Sequence, residues 1–212
     1  MAPPQFVMRL IAPQLAHPRG LGGRIVAALM NRSNARMNAF TVDALAVHDG
    51  DRVVDLGFGG GPNLVEFARR VGSGEVVGVE MSTTMLARAS TTFAPQVASG
   101  RLRLLEGTIE SLPLGDRSVD GLCTVNTVYF WKDRIRAMAE LRRVMRPGGR
   151  VAVTFLPKAA MESLGVPTHI FRYTPHEEVE AMLRDAGFVD VRVLTAPEPG
   201  DRWCCVRAVA PV

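Results

Sequence analysis

Lysine is nearly missing from this chain: Lys132 and Lys158 are the only two among 25 basic residues, which face 21 acidic ones. Arginine therefore sets the isoelectric point near 9.4, while the net charge at neutral pH is only +4. A high isoelectric point of that origin does not imply a nucleic-acid partner. Cysteine is also scarce. Three residues, two of them adjacent as Cys204 and Cys205, give no disulfide framework and no C-x-x-C pair, so neither a stapled secreted fold nor a zinc site is expected. A reducing, cytoplasmic setting fits that usage. No apolar run approaches the roughly 18 residues that a membrane-spanning helix needs. Acidic residues are absent before Asp43, so Arg9, Arg19, Arg24, Arg32 and Arg36 give residues 1–42 a charge of +5 and leave the remainder at −1.

Apolar residues make up 47% of the 212 and charged residues 22%, the balance of a folded globular domain with at most a small appendage. From Asp51 onward, short β-branched runs alternate with helical patterns, the signature of stacked βαβ units. Strands are expected at 52–56, 75–80, 101–106, 118–124, 150–155, 188–194 and 202–209. Helices are expected over 63–71, 82–93 and 133–145, and from Thr174-Pro175 to Gly187. The architecture is then an open α/β, Rossmann-like sheet of seven mostly parallel strands with helices on both faces and an antiparallel hairpin at the C-terminal edge. Residues 157–172 read as irregular. The first 50 residues carry no strand pattern and suggest two short helices, 24–30 and 35–47. We expect them to form a helical lid (1–50) on the domain 51–212. An Arg-rich, acid-free start is also the warning sign of a transit peptide, but serine is almost absent there and Gly20 to Gly23 would interrupt a long amphipathic helix.

The most informative segment is Val53-Val-Asp-Leu-Gly-Phe-Gly-Gly-Gly61, a strand that ends in a glycine loop and leads into a helix. Such a loop lets backbone amides approach a nucleoside-like ligand at the carboxyl edge of the sheet. The dinucleotide pattern G-x-G-x-x-G starting at Gly57 would need a small residue where Pro62 stands, so the glycines at 57, 59 and 61, with Asp55 before them, point away from NAD. An acid there suits a cationic or amine-bearing ligand.

These residues, with the stretches 76–89, 105–122, 125–133, 140–149 and 173–191 in order, resemble the class I S-adenosylmethionine-dependent methyltransferases. Within that class they are similar to the ubiquinone/menaquinone-biosynthesis (methyltransferase type 11) group. The resemblance implies that Gly57, Gly59 and Gly61 pack against the methionine and ribose parts of S-adenosylmethionine, and that Asp55 orients its amino group. It further implies that Glu80 accepts from both ribose hydroxyls, Met81 packs on the adenine, and Asn126 lies near the methionine moiety. The family often has Gly-Asp-Ala after strand three. Here Gly107-Thr108-Ile109 leaves Thr108 to accept one hydrogen bond and Ile109 to face the ring.

For the methyl acceptor the sequence offers Tyr129-Phe130-Trp131, three aromatics in a row in a chain only 6% aromatic, as a cavity wall or as plain loop packing. Tyr129 could orient an acceptor through its hydroxyl, and His169, in the irregular segment, could remove a proton or be an exposed loop histidine. No acidic cluster suggests a metal. The leading expectation is methyl transfer to a small, rather apolar molecule by in-line displacement. A non-catalytic cofactor- or partner-binding protein of the same fold is the alternative. An RNA substrate is suggested only by the basic N-terminus, without a recognisable Asn-Pro-Pro-Tyr-type motif.

Overall fold

A computed structural model describes residues 34–198 and 200–212. Seven strands form a single sheet in the order β3-β2-β1-β4-β5-β7-β6: β1 Arg52–Leu56, β2 Glu75–Glu80, β3 Leu102–Glu106, β4 Val119–Val125, β5 Met145–Phe155, β6 Val189–Thr195 and β7 Cys204–Val209. The first five are mutually parallel, and β7 runs antiparallel to both β5 and β6. The sheet is thus the one expected, with β6 at the edge and β7 inserted beside β5. Central strands carry near-continuous apolar runs because both faces are covered: Val53, Val54 and Leu56 of β1, and Val76, Val77 and Val79 of β2, are buried.

The described helices are α1 Ala35–Leu45, α2 Pro62–Arg70, α3 Thr83–Thr92, α4 Ala94–Ala98, α5 Arg134–Val144, α6 Lys158–Leu164 and α7 His176–Asp185, with one 3-10 turn at Val128–Phe130. Local chemistry starts them. Proline occupies the first turn of α2, where its missing N–H costs nothing. Ser82 caps α3 by accepting from Met85 N at 3.4 Å, and Asp133 caps α5 by accepting from Arg136 N at 3.0 Å.

The helix expected over 82–93 ends there, and Pro95 stands in the first turn of the further short helix α4, where its fixed φ fits. Three expectations need correction. The strand expected at 150–155 begins at Met145, which already pairs with Val119, and Pro147-Gly148-Gly149 is taken up in a bulge of β5. Residues 157–172 include α6. Thr174 does not cap α7, because its hydroxyl is engaged by Arg134 and by Arg172 O.

The expected boundary at residue 50 cuts through a packed unit. α1 lies on β4, β5 and β7, with Met37, Val42 and Leu45 buried and Thr41 Oγ1 2.7 Å from Thr154 Oγ1. Residues 35–45 therefore belong to the sheet's own core, because their apolar positions at helical spacing find the face formed by Val53, Cys123, Ala152 and Cys205. The expected helix at 24–30, the rest of the lid and the charges of Arg9, Arg19, Arg24 and Arg32 lie outside the described residues. Among those described, Arg36 pairs with Asp201 at 2.9 Å. No described helix is long and apolar enough to cross a membrane.

Strands β1 to β3 build outward in one direction and β4, β5 in the other. The order reverses between β1 and β4, and the carboxyl ends of these strands open the crevice where such sheets take ligands.

Candidate active site

The glycine loop leaves β1 with three left-handed glycines, each serving a different need. Gly57 (φ 69°) donates its amide to Val79 O at 2.7 Å, and a Cβ there would stand 2.5 Å from Thr127 Cγ2. Gly61 (φ 78°) is the residue before α2, where a Cβ would press on the Phe93 ring at 2.7 Å. Gly59 (φ 53°) is the one that faces open space, since no described atom lies within 4 Å of a Cβ built on it. Two glycines thus shape the loop, and the third leaves room above it.

Glu80 ends β2 almost fully buried, and its carboxylate is anchored by two amides: Gly59 N donates to Oε2 at 3.1 Å and Ser82 N to Oε1 at 2.9 Å. A carboxylate has about four acceptor directions, so this anchoring is compatible with further partners such as a ribose diol. Asp55, 2% exposed, takes a hydrogen bond from Cys123 Sγ at 3.5 Å on Oδ1, and the polar side chain of Asn63 in the first turn of α2 is near enough to stabilise its charged form. Its Oδ2 is buried and has no hydrogen-bond partner among the described residues. Burial pushes the carboxyl up to about 7, against the hydrogen bond from Cys123 and the polar side chain of Asn63, and the nearby charge of Glu80 adds to the rise. A buried acceptor with no donor is the vacancy that an ammonium group fills. Together with the open cradle at Gly59 and two acids at one edge, this chemistry fits a cationic nucleoside-linked amino acid such as S-adenosylmethionine.

Beyond β3, Thr108 is half-buried and forms a single antiparallel bridge with Ser111, while Ile109 is buried. Met81 is exposed beside Glu80. Asn126 follows β4 in a left-handed conformation (φ 58°), and its amide donates to Thr154 O at 2.8 Å. The carboxyl ends of β1, β2 and β4 and the turn after β3 thus bring eight of the nine expected cofactor residues to one edge of the sheet, with Met81 one step beyond.

The two residues expected on the acceptor side fare differently. Tyr129 is 5% exposed, and its hydroxyl is already occupied: it accepts from Leu156 N at 2.6 Å and lies 2.9 Å from Asn126 Oδ1 and 3.3 Å from Leu156 O. Desolvation drives its ionisation far above the ordinary tyrosine value, so it is a neutral, protein-bound group rather than one free to orient an acceptor. His169 stands exposed in the turn at 168–170, and no hydrogen bond among the described residues ties it to the cleft.

Sequence reading passed over Asn63 and Cys123, the partners of Asp55, and Thr127, which fills the space that Gly57 leaves and bonds Thr124 and Trp131 Nε1 at 2.5 and 3.2 Å. It also passed over Arg134. That guanidinium is buried and donates to Thr174 Oγ1 (2.6 Å), to Val128 O (3.3 Å) and to the Glu178 carboxylate. Only Asn63, the first polar residue after the loop proline, could have been flagged from its position alone. A shallow cleft of about 350 Å³ lined by Leu64, Ala68, Arg69, Phe93 and Leu102 lies at the amino end of β3, away from this edge.

A protein-family model described as "Methyltransferase domain" matches residues 54–153. The chain is 27% identical over 169 residues to the uncharacterized methyltransferase YdaC of Bacillus subtilis, covering 80% of this chain and 88% of that protein. It is 29% identical over 150 residues to the ubiquinone/menaquinone biosynthesis C-methyltransferase of Erwinia tasmaniensis, covering 70% of this chain but 60% of that longer relative. Its fold matches the crystal structure of a SAM-dependent methyltransferase from Aquifex aeolicus with a TM-score of 0.69 at 22% identity, over 94% of this chain and 96% of the other. Residues 54–153 thus carry a methyltransferase domain, and the chain is similar to S-adenosylmethionine-dependent methyltransferases along most of its length.

Proposed function

From that likeness as premise, we propose that the protein transfers the methyl group of S-adenosylmethionine to a small, rather apolar molecule. When bound, the cofactor supplies a methyl group made electrophilic by a sulfonium, and the transfer is an in-line displacement. The chain's residues bind and orient. Asp55 Oδ2 receives the ammonium group, Glu80 the ribose hydroxyls, and the amides of the 57–61 loop line the methionine and ribose. Met81 and Ile109 pack against the adenine, and Thr108 accepts from it. Asn126 meets the amino-acid end.

The observation that carries the acceptor's character is the wall beyond β4 and β5. Tyr129, Phe130 and Phe171 form an aromatic cluster with centroids 5.0–5.9 Å apart, and half-buried Leu156, Leu164, Ile170 and Tyr173 continue it. Such a surface favours apolar molecules and keeps water from the reacting atoms. Holding donor and acceptor in line is worth effective molarities of about 10⁵ M or more, so no residue need act as a base. His169 is assigned no step. Three unpaired, buried thiols, Cys123, Cys204 and Cys205, support a reducing, cytoplasmic setting.

The test is incubation with methyl-labelled S-adenosylmethionine and a panel of small phenols, quinols, carboxylic acids and amines, beside bulk RNA. Label in an organic-extractable small product is expected. Label confined to RNA, or to strongly ionic acceptors, would overturn this reading.

A further inference from the structure

Tyr129 touches three parts of the molecule at once. Its ring packs edge-on against Phe130 and Phe171, its carbonyl accepts from Arg172 N at 3.3 Å, and its hydroxyl sits between Asn126 and the end of β5. Hydrogen-bond accounting at that hydroxyl is restrictive. Leu156 N donates to the oxygen at 2.6 Å, so the single phenolic proton goes to an acceptor, and Asn126 Oδ1 at 2.9 Å is nearer than Leu156 O at 3.3 Å. Turning the Asn126 amide over would leave the phenolic proton only the longer bond to Leu156 O and ask the phenolic oxygen to accept from two N–H groups, a poor exchange in a buried site. The backbone of Asn126 is fixed as well, left-handed and bonded to Thr154 O. Asn126 is only half-buried at the carboxyl end of β4, and its Nδ2 makes no hydrogen bond among the described residues and is not a buried unpaired atom.

We propose that Tyr129 is a positioning residue: its hydroxyl sets the Asn126 side chain with Oδ1 turned into the protein, so that Nδ2 is the donor offered to the carboxylate end of the cofactor. This rests on the reading that S-adenosylmethionine binds at this edge with its amino-acid end beside Asn126. Tyr129 thereby links the two halves of the reaction. The residue that orders the cofactor's contact also anchors, through its ring and carbonyl, the 171–172 segment of the acceptor wall.

The experiment is calorimetric titration of S-adenosylhomocysteine into the wild type, Tyr129→Phe, Asn126→Ala and the double variant, with thermal melts of each. Tyr129→Phe is expected to weaken binding about five- to tenfold in the wild-type background, the worth of one well-placed hydrogen bond, and less than twofold once Asn126 is alanine. An equal loss in both backgrounds would mean that Tyr129 acts through general packing, and no loss in the single variant would mean that it does not act at all. Either result overturns the proposal. Asn126→Asp keeps Tyr129 intact but replaces the donor with a second acceptor. It should lose at least as much affinity, and wild-type binding by this variant would refute the assignment even if Tyr129→Phe proved unstable. A wild type that ignores S-adenosylhomocysteine would refute the cofactor reading together with the proposal, whereas tight wild-type binding with an unaffected Tyr129→Phe would remove the proposal alone.

Discussion

On the β1–β2 side of the crevice, the groups proposed to face the cofactor are held by backbone conformation and backbone amides. Gly57, Gly59 and Gly61 take their shape from positive φ angles, and Glu80 is pinned by the amides of Gly59 and Ser82. On the β4–β5 side, position depends on side chains far apart in the chain: Tyr129 with Leu156, and Arg134 with Thr174 and Glu178. The first construction leaves a local signature that any chain with the same ligand must repeat. The second can be met by many combinations of residues, which suits a wall that has to be reshaped for each acceptor.

The largest effects belong to the backbone-built side. Gly59→Ala should strain the loop by only about 1 kcal/mol yet abolish measurable cofactor binding, because its Cβ enters the open space above the loop. Gly57→Ala should instead cost the fold about 2–4 kcal/mol, from the left-handed φ and the collision with Thr127, a side chain locked by two hydrogen bonds. Equal melting losses in the two variants would erase the distinction between shaping and admitting glycines.

Asp55→Asn comes next, with opposite signs for stability and binding. Because the folded carboxyl holds its proton up to about pH 7 while the unfolded one releases it near its ordinary value, Asp55 destabilises the ligand-free protein progressively as pH rises between those values. Removing the ionisable group should therefore raise the melting temperature of the free protein at pH 8, by the equivalent of about 2–4 kcal/mol, and change it little at pH 4. The same variant should bind S-adenosylhomocysteine at least tenfold more weakly. Wild-type affinity should itself decline as pH falls below about 7, since the carboxyl must give up a proton to receive the ammonium. A pH-independent affinity between 5.5 and 8 would contradict this account of Asp55.

Arg134→Met tests the other side. Glu178 keeps its partner Arg172 and is partly exposed, so the loss should be about 2 kcal/mol. It should appear as faster amide exchange at 171–174, with cofactor affinity within twofold of wild type. The smallest effect is expected for His169→Ala, less than twofold on the methyl-transfer rate once an acceptor is found. A tenfold fall would return proton removal to that residue.

This division also explains what could be read from the chain. Strand positions, the parallel sheet with its antiparallel edge, and the loop with its two acids follow from β-branched runs, glycine spacing and acids that each stand at or next to the end of a strand. The helix α6 was missed because Pro157 and Gly165 bracket a run too short to show a period. The start of β5 was placed too late because Pro147 and the glycines beside it serve a bulge as readily as a stop. Helix α1 was legible as a helix but not as part of the core, since its partners Thr154 and Trp203 lie more than a hundred residues away. For the same reason Tyr129 read as a free hydroxyl: Leu156 N, which occupies it, is 27 positions on.

The central claim is that the ends of β1 and β2 hold S-adenosylmethionine through Glu80. Titrating S-adenosylhomocysteine into the wild type and into a folded Glu80→Ala variant tests it directly. The structure predicts saturable one-to-one binding by the wild type and a loss of at least a hundredfold in the variant, which lacks both the ribose acceptor and the anchor for Gly59 and Ser82. Equal affinity in the two proteins would contradict it.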